Sequence, residues 1–219
     1  MAKLLIFDWD GTLSDSLHRI AFCMQRAAED GNLTPPSTDE VKNIVGLGLR
    51  EAIAVLYPAI IDDQQKIEQL KTAYSQHFMA NDKVPSPFYP YVMESLQELR
   101  DAGHQLAVAT GKSRRGLNRV LAEKGLGDFF HGSRCADETR SKPHPQMIEE
   151  LLTEFAVQPE QAVMVGDTEY DLEMACRAGV PGLGVSYGAH DSTRLQKHQP
   201  FAVVDCFSQV ADAIRNLKP

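Results

Sequence analysis

Short apolar runs alternate with amphipathic helical patterns along most of the chain, and this alternation constrains the fold more than any other feature. Five runs are typical of strands, each ending at a polar residue or a glycine: residues 3–8, 105–110, 162–167, 183–187 and 201–205. The clearest helical patterns lie at residues 15–30, 92–103, 113–125, 145–155, 171–179 and 208–217. Continuous apolar strands need helices on both faces of their sheet. The pattern therefore predicts an α/β fold with a doubly wound, Rossmann-like parallel sheet.

One region departs from this alternation. Between Leu33 and Phe88 several helical patterns follow one another with no convincing strand, and the Pro-rich segments 32–37 and 84–90 flank them. We therefore predict a small α-helical domain at residues 15–87, inserted into an α/β core that is formed by residues 1–14 and 88–219.

Composition and net charge limit the kinds of molecule that this chain is expected to bind. The chain has 219 residues, of which 43% are apolar, and this is enough to bury a substantial core. A net charge of -8 argues against binding nucleic acid or an anionic membrane, because both need a basic face. The N-terminal apolar run is too short for a signal peptide or a membrane span, so we expect a cytoplasmic protein. The four cysteines show no C-x-x-C spacing, which argues against a zinc knuckle.

Polar side chains follow three of the predicted strands where each strand ends. Asp8 and Asp10 follow the first, Thr110 and Gly111 lie at the end of the second, and Asp167 follows the third. Ligands of parallel α/β sheets bind at the carboxyl ends of the strands. These residues are therefore the candidates for a functional site.

The spacing of Asp8 and Asp10 directs both carboxylates to one side of the chain if the extended conformation continues that far. Repulsion between two such acids is usually relieved by a raised pKa, by a cation or by a divalent metal. Asp167 would add a third hard oxygen donor, which favours Mg²⁺. A carboxylate can also act as a covalent nucleophile that forms an aspartyl-phosphate.

Four motifs in this order resemble those of the haloacid dehalogenase superfamily, specifically its phosphatases with an inserted helical cap, of which phosphoglycolate phosphatases are typical. The motifs are DWDGT at 8–12, Thr110-Gly111, Lys142 in SKPHP, and GDTEYD at 166–171. The resemblance covers nearly the whole chain. It implies a Mg²⁺-dependent phosphatase that hydrolyses a small phosphorylated metabolite through an aspartyl-phosphate, with residues 15–87 as the cap.

The resemblance also implies a role for each matching residue. Asp8 is expected to be the nucleophile, and Asp10 the acid that protonates the leaving alcohol and then activates water. Thr110 and the amide of Gly111 are expected to bind phosphate oxygens, and Lys142 to hold both the phosphate and Asp8.

Metal binding is assigned by the same resemblance. Asp8, the main-chain carbonyl of Asp10 and the side chain of Asp167 are the expected ligands, and Asp171 is expected to support them from outside the ligand set. Asp171 could instead serve only to start its helix through the helix dipole.

Three groups of basic residues remain open from the sequence. The segment GLGLR at 46–50 lacks a preceding strand and departs from the dinucleotide-binding spacing, so the resemblance suggests a cap loop that faces the pocket. Arg50 in this loop either binds the distal group of the substrate or is a plain surface arginine. Lys112 either senses substrate charge or is solvated. For the run Arg114, Arg115 and Arg119, a solvated helix face is favoured over a substrate patch.

The reaction type follows from two positions. Asp10 favours phosphate esters, since dehalogenases and phosphonate-cleaving relatives lack an acid there. Mutases of the β-phosphoglucomutase type place a histidine twelve positions past the nucleophile, where this chain has Ile20, so hydrolysis is preferred over a sugar-phosphate mutase. A non-catalytic regulator with the same fold is a further alternative. We expect a monomer or weak dimer.

Overall fold

A computed structural model describes residues 2–80 and 86–217 of the chain. Within these residues one sheet has six strands, which are Leu4–Phe7 (β1), Gln105–Thr110 (β2), Gly132–Cys135 (β3), Ala162–Gly166 (β4), Gly182–Val185 (β5) and Ala202–Val204 (β6). Every pair of neighbouring strands is parallel, and the spatial order is β3-β2-β1-β4-β5-β6. The predicted doubly wound α/β fold is thus confirmed.

The helices follow the strands in the alternation that the sequence predicts. They are Leu17–Asp30 (α1), Thr38–Lys42 (α2), Leu49–Leu56 (α3), Gln64–Ala80 (α4), Val92–Asp101 (α5), Arg114–Glu123 (α6), Gln146–Glu154 (α7), Glu169–Arg177 (α8), Ser192–Gln196 (α9) and Val210–Arg215 (α10). None of these described helices is long and apolar enough to cross a membrane.

Helices cover both faces of the sheet because alternate residues of β1 point to opposite sides. Leu5 and Phe7 belong to an apolar cluster that includes side chains of α5, α6 and α10. Leu4 and Ile6 belong to a second cluster with side chains of α7 and α8. All four residues of β1 are fully buried, as expected of the central strand of a parallel sheet.

A third apolar cluster lies among α1, α2, α3 and α4, separate from the two clusters at the sheet. It includes Met24 of α1, Ile53 of α3 and Ile67 of α4. Val84 and Pro85 of the second Pro-rich segment lie outside the described residues. The limits of the helical domain at residues 15 and 87 therefore stay a prediction.

The order of the strands positions the functional site. The chain moves from β1 to β2 and β3, then returns to the other side of β1 with β4, so the direction reverses between β1 and β4. Crevices at such reversals bind ligands in open α/β sheets. Phe7 is level with Val108 of β2 and Val165 of β4, which brings the residues after all three strands to one edge.

Candidate active site

Lys142 lies between two carboxylates at this edge of the sheet. Its Nζ atom donates hydrogen bonds of 2.6 Å to Oδ1 of Asp8 and 2.6 Å to Oδ1 of Asp171. The lysine side chain is 0% exposed. Burial alone would lower the pKa of Lys142, but the negative charges of Asp171 and Asp8 outweigh it and raise that pKa above its usual range. Lys142 is therefore a permanent buried cation.

Asp8 is held at the end of β1 by its backbone N–H, which donates to the carbonyl of Val165 at 3.0 Å. Its side chain is 1% exposed. Burial raises the pKa of Asp8 well above its usual range, Asp171 and Asp167 add to the effect, and Lys142 opposes it. The Oδ2 atom is buried and accepts no hydrogen bond from any described residue. An oxygen of this kind suits a cation or a reacting group.

Asp167 follows β4 and accepts two hydrogen bonds. Thr12 Oγ1 donates to its Oδ1 at 2.8 Å, and the Ala189 amide donates to its Oδ2 at 2.7 Å. Burial raises the pKa of Asp167 to about 7, with Asp171 contributing, although both donors favour the charged form. A Cβ atom on Gly11, whose φ is +89°, would lie 2.2 Å from Oδ2 of Asp167. Close approach of the backbone thus requires glycine there.

One carboxylate oxygen each from Asp8, Asp167 and Asp171 lies within 4.8 Å of the others. The three buried acids face one lysine, so their charge is only partly balanced. Hard oxygen donors around an unpartnered carboxylate oxygen fit a divalent cation such as Mg²⁺.

Asp171 serves the helix and the site together. It forms a capping box with Thr168 at the start of α8. In this box its Oδ2 atom accepts a hydrogen bond of 2.7 Å from the Thr168 hydroxyl. Its other oxygen binds Lys142. Asp171 therefore caps α8 and also holds Lys142, while its support of a metal site stays a prediction.

Asp10 lies in a different environment from Asp8. Ser16 Oγ donates to its Oδ1 at 2.6 Å, and Lys112 Nζ lies 2.9 Å from its Oδ2. The Asp10 side chain is 13% exposed and the Lys112 side chain 11%. Lys112 is thus largely buried and paired with Asp10, so it is not a solvated lysine, while a role in sensing substrate charge stays a prediction.

A loop from the helical region lies against the end of β2. A Cβ atom on Gly111 would lie 2.4 Å from the carbonyl oxygen of Leu47 and 2.8 Å from that of Gly46. The Gly48 amide donates to Ser141 Oγ at 2.8 Å, one residue before Lys142. Thr110 beside Gly111 is fully buried. The segment GLGLR therefore faces the site, as the resemblance suggests.

A cavity of about 520 Å³ opens beside these groups, between the sheet edge and helices α1, α3 and α4. Asp8, Asp10, Gly111 and Lys112 line it on the sheet side, and Arg50 lines it from the helical region. Arg50 Nη1 donates to Gln64 Oε1 at 2.7 Å. Asp8, Asp10, Thr110, Gly111, Lys142, Asp167 and Asp171 thus come together, with Arg50 on the opposite wall.

Sequence reasoning missed the groups that orient these acids. Thr12 binds Asp167, Ser16 binds Asp10 and Ser141 binds the Gly48 amide. Thr12 belongs to the DWDGT motif and could have been found from it. The contact of the Ala189 amide with Asp167 could not have been predicted, because almost any residue type has the same backbone N–H.

Comparisons with known proteins give a consistent result. The family model described as haloacid dehalogenase-like hydrolase matches residues 5–185. The chain is 30% identical over 221 residues to "Probable phosphatase IndB" of Dickeya dadantii, covering 99% of this chain and 95% of that protein. It is 28% identical over 220 residues to a phosphoglycolate phosphatase of Vibrio vulnificus, covering 97% and 96%. A crystal structure of a predicted phosphoglycolate phosphatase from Haemophilus somnus superposes with a TM-score of 0.85 at 27% identity, covering 97% and 98%.

Proposed function

The chain belongs to the haloacid dehalogenase-like hydrolases and is a phosphatase, and from this premise we propose that it hydrolyses a small phosphorylated metabolite with Mg²⁺ through an aspartyl-phosphate on Asp8. The observation that carries the proposal is the buried group of Asp8, Asp167 and Asp171 around Lys142. A phosphoryl group brings several negative oxygens. Lys142 and a divalent cation together offset that charge, which is the main requirement of phosphoryl transfer.

Asp8 attacks the phosphorus atom. A bond forms between a carboxylate oxygen of Asp8 and phosphorus while the bond from phosphorus to the ester oxygen breaks, which leaves an aspartyl-phosphate. Lys142 fixes the orientation of the Asp8 carboxylate through its 2.6 Å hydrogen bond. The unpartnered Oδ2 of Asp8 supports this role, because no described donor competes for that oxygen.

Asp10 moves the proton in both half-reactions. It gives a proton to the leaving alcohol oxygen, and it then takes a proton from the water that attacks the aspartyl-phosphate. As the water oxygen bonds to phosphorus, the bond from phosphorus to the Asp8 oxygen breaks, which frees the Asp8 carboxylate and releases inorganic phosphate. The hydrogen bond from Ser16 and the ion pair with Lys112 hold the Asp10 carboxyl group in place beside the cavity.

Thr110, the Gly111 amide and Lys142 are proposed to bind the phosphate oxygens. Asp8, the Asp10 carbonyl and Asp167 are proposed to hold Mg²⁺, which would supply charge neutralisation at the phosphoryl oxygens. Asp171 holds Lys142 in place through its Oδ1 atom.

We propose that residues 15–87 form a cap that covers the substrate. The separate apolar cluster of α1 to α4 and the close approach of Gly46 and Leu47 to Gly111 support this. Arg50 lines the cavity from the cap side, which supports a role with the distal group of the substrate. A closed cap would exclude bulk water during the aspartyl-phosphate step.

Phosphoglycolate is the default substrate by similarity to relatives of that name. Ile20 lines the cavity at the position where a sugar-phosphate mutase of the β-phosphoglucomutase type has a histidine, and this favours hydrolysis. The net charge of -8 argues against nucleic acid or an anionic membrane as the partner, and it is compatible with a small anionic substrate. The cytoplasmic location and the monomer or weak dimer stay predictions.

The proposal is tested by measuring phosphate release from a panel of phosphorylated metabolites with Mg²⁺, with excess chelator, and after Mg²⁺ is added back. Release that needs the metal is the expected result. A hexose 1-phosphate that gives its 6-phosphate isomer without free phosphate would identify a mutase. No turnover of any ester would favour the non-catalytic regulator.

A further inference from the structure

The cavity beside Asp8 is larger and more apolar than a phosphate subsite alone requires. Its volume of about 520 Å³ lies in the range of pockets that enclose drug-sized ligands. Apolar side chains form much of its wall, contributed mainly by α1, α4 and the chain from residue 44 to residue 49: Ile20, Met24, Ile44, Val45, Leu47, Leu49, Phe78 and Met79. A substrate with an apolar body would bury surface there that a small polar ester would leave in contact with water.

Basic side chains also line this cavity, on a chain whose net charge is -8. They are Arg50, Lys71, Lys112, Arg115 and Arg119. Two of them are neutralised by neighbouring acids, since Lys112 pairs with Asp10 at 2.9 Å and Lys71 with Glu68 at 2.9 Å. These two lysines are therefore not available to a ligand without breaking an ion pair.

Two of the three arginines, Arg119 and Arg50, also contact neighbouring side chains. Arg119 lies 3.6 Å from Glu123 and stacks over the ring of Phe78. Arg50 donates a hydrogen bond from Nη1 to the side chain of Gln64. Arg115, in contrast, makes no hydrogen bond, ion pair or ring contact with any residue that the structure describes.

The start of α6 explains why Arg115 is turned to the cavity. Arg114 at the first position of the helix points to the other side, where it binds both carboxylate oxygens of Glu138 and the hydroxyl of Ser133. Residues four apart share a face of a helix, so Arg115 and Arg119 lie together on the cavity side. The solvated face expected for the three arginines is thus wrong for Arg114, which is bound to Glu138, whereas Arg115 is exposed and lines the cavity.

We propose that Arg115 binds a second anionic group of the substrate, so that the substrate class is a phosphomonoester with an apolar body and a carboxylate or second phosphate at its far end. The inference rests on the proposed function, because it concerns the same cavity. Guanidinium groups bind carboxylates and phosphates through two parallel hydrogen bonds, and an unpaired arginine loses no existing partner when it does so. Arg115 would then be a specificity residue contributed by the α/β core, in the same cavity as Arg50.

The test uses phenyl phosphates that differ only in the para substituent: a carboxylate, the neutral carboxamide and a phosphonate. Wild-type enzyme in Mg²⁺ is expected to show a kcat/KM for the carboxylate or phosphonate probe at least about tenfold above that for the carboxamide. In Arg115→Met the ratio of kcat/KM for the anionic probe to kcat/KM for the carboxamide is expected to fall to about one, through a higher KM for the anionic probe. Which anionic probe is favoured tells a carboxylate from a second phosphate.

The matched control is Arg177→Met, which removes an exposed arginine whose one ion pair among the described residues is with Glu173. It should leave all three probes unaffected. A preference that persists in Arg115→Met, or that is lost in Arg50→Met and kept in Arg115→Met, would overturn the inference while the phosphatase function stands. Failure of the wild type to hydrolyse any of the probes, the carboxamide included, would count against the proposed function itself.

Discussion

Lys142 is the buried cation that contacts two of the three buried acids of this site. It is fully buried and is shared between Asp8 and Asp171, while Asp167 lies close enough to raise the pKa of Asp8. A buried ion pair adds little net stability compared with apolar residues, but removal of one partner leaves a buried charge uncompensated. The positive charge of Lys142 therefore opposes the rise that burial causes in the pKa of Asp8.

Replacement of this lysine tests that account. Lys142→Met keeps the length of the side chain but removes its charge, so the free energy of unfolding at pH 7 should fall by about 3–5 kcal/mol. Urea denaturation of both proteins measures the difference. Lys197→Met, at an exposed position, is the control and should change stability by less than about 0.5 kcal/mol. Equal stabilities for Lys142→Met and wild type would contradict the assigned role.

His190 gives the stability a predictable dependence on pH. It is 2% exposed, and its Nδ1 accepts a hydrogen bond of 3.0 Å from the Glu169 amide, which requires a neutral ring. Burial lowers the pKa of His190 to about 4, and Arg194 adds to the effect. Since the unfolded chain has a histidine pKa near 6.5, the unfolded state takes up a proton first as the pH falls.

The wild-type protein should therefore lose stability through His190 as the pH falls from about 6.5 to 4, at up to about 1.4 kcal/mol per pH unit. His190→Asn offers a carbonyl oxygen to the same amide and cannot titrate in this range. Its free energy of unfolding should fall less steeply with decreasing pH. Parallel pH profiles for the two proteins would show that the buried histidine does not contribute.

How far the sequence predicts these contacts depends on the backbone that carries each residue. The sequence predicts that Asp8, Asp167 and Lys142 lie close together, because parallel strands end at one edge of the sheet and the family motifs follow in order. The pair of Lys112 and Asp10 could not, since the strand pattern does not say how the chain turns after Phe7. Contacts made by a backbone amide, such as that of Ala189 to Asp167, leave no mark on residue type.

At the level of elements, the contact between β2 and the loop at residues 46–48 couples the helical region to the site. Gly111 permits it, because any side chain there would collide with the carbonyl oxygens of Leu47 and Gly46. These are backbone atoms of a different segment, so a shift of the whole loop is the remaining way to make room. The loop can therefore lie this close to the sheet edge only because residue 111 is a glycine, which has no Cβ atom.

Gly111→Ala should lower kcat/KM by at least about tenfold, because the loop can no longer lie against the end of β2. Thermal unfolding should change little, since the apolar clusters are not touched. Gly127→Ala is the matched control, with no atom within 4 Å of the added methyl group. Unchanged kcat/KM in Gly111→Ala would mean that the observed approach of the loop is unimportant for turnover.

The elements also show which patterns predict structure and which do not. Five strands carry apolar runs and were predicted, whereas β3 has the sequence GSRC, with three of its four residues half-buried. A strand beside β2 at the edge of the sheet needs no apolar run, because one side of it is not covered by another strand. The five-residue helix α9 was missed because it is too short to show helical periodicity.

At the scale of the whole molecule, the described residues form two apolar clusters at the sheet and one in the helical region, and the cavity lies between the sheet edge and the helical region. Lys112 contacts both parts, since it pairs with Asp10 and lies 4.9 Å from the ring centre of Phe78 in α4. The position of α4 and the environment of Asp10 are therefore linked through one side chain. This arrangement suits an enzyme that completes its site when the helical region covers the substrate.

The central claim is that Asp8 accepts the phosphoryl group, and Asp8→Asn tests it most directly. The substitution keeps the shape of the side chain and removes its nucleophilic charge. With p-nitrophenyl phosphate and saturating Mg²⁺, we predict that kcat/KM falls by at least about 10³-fold while the protein remains folded by circular dichroism. Hydrolysis at the wild-type rate by folded Asp8→Asn would contradict the account.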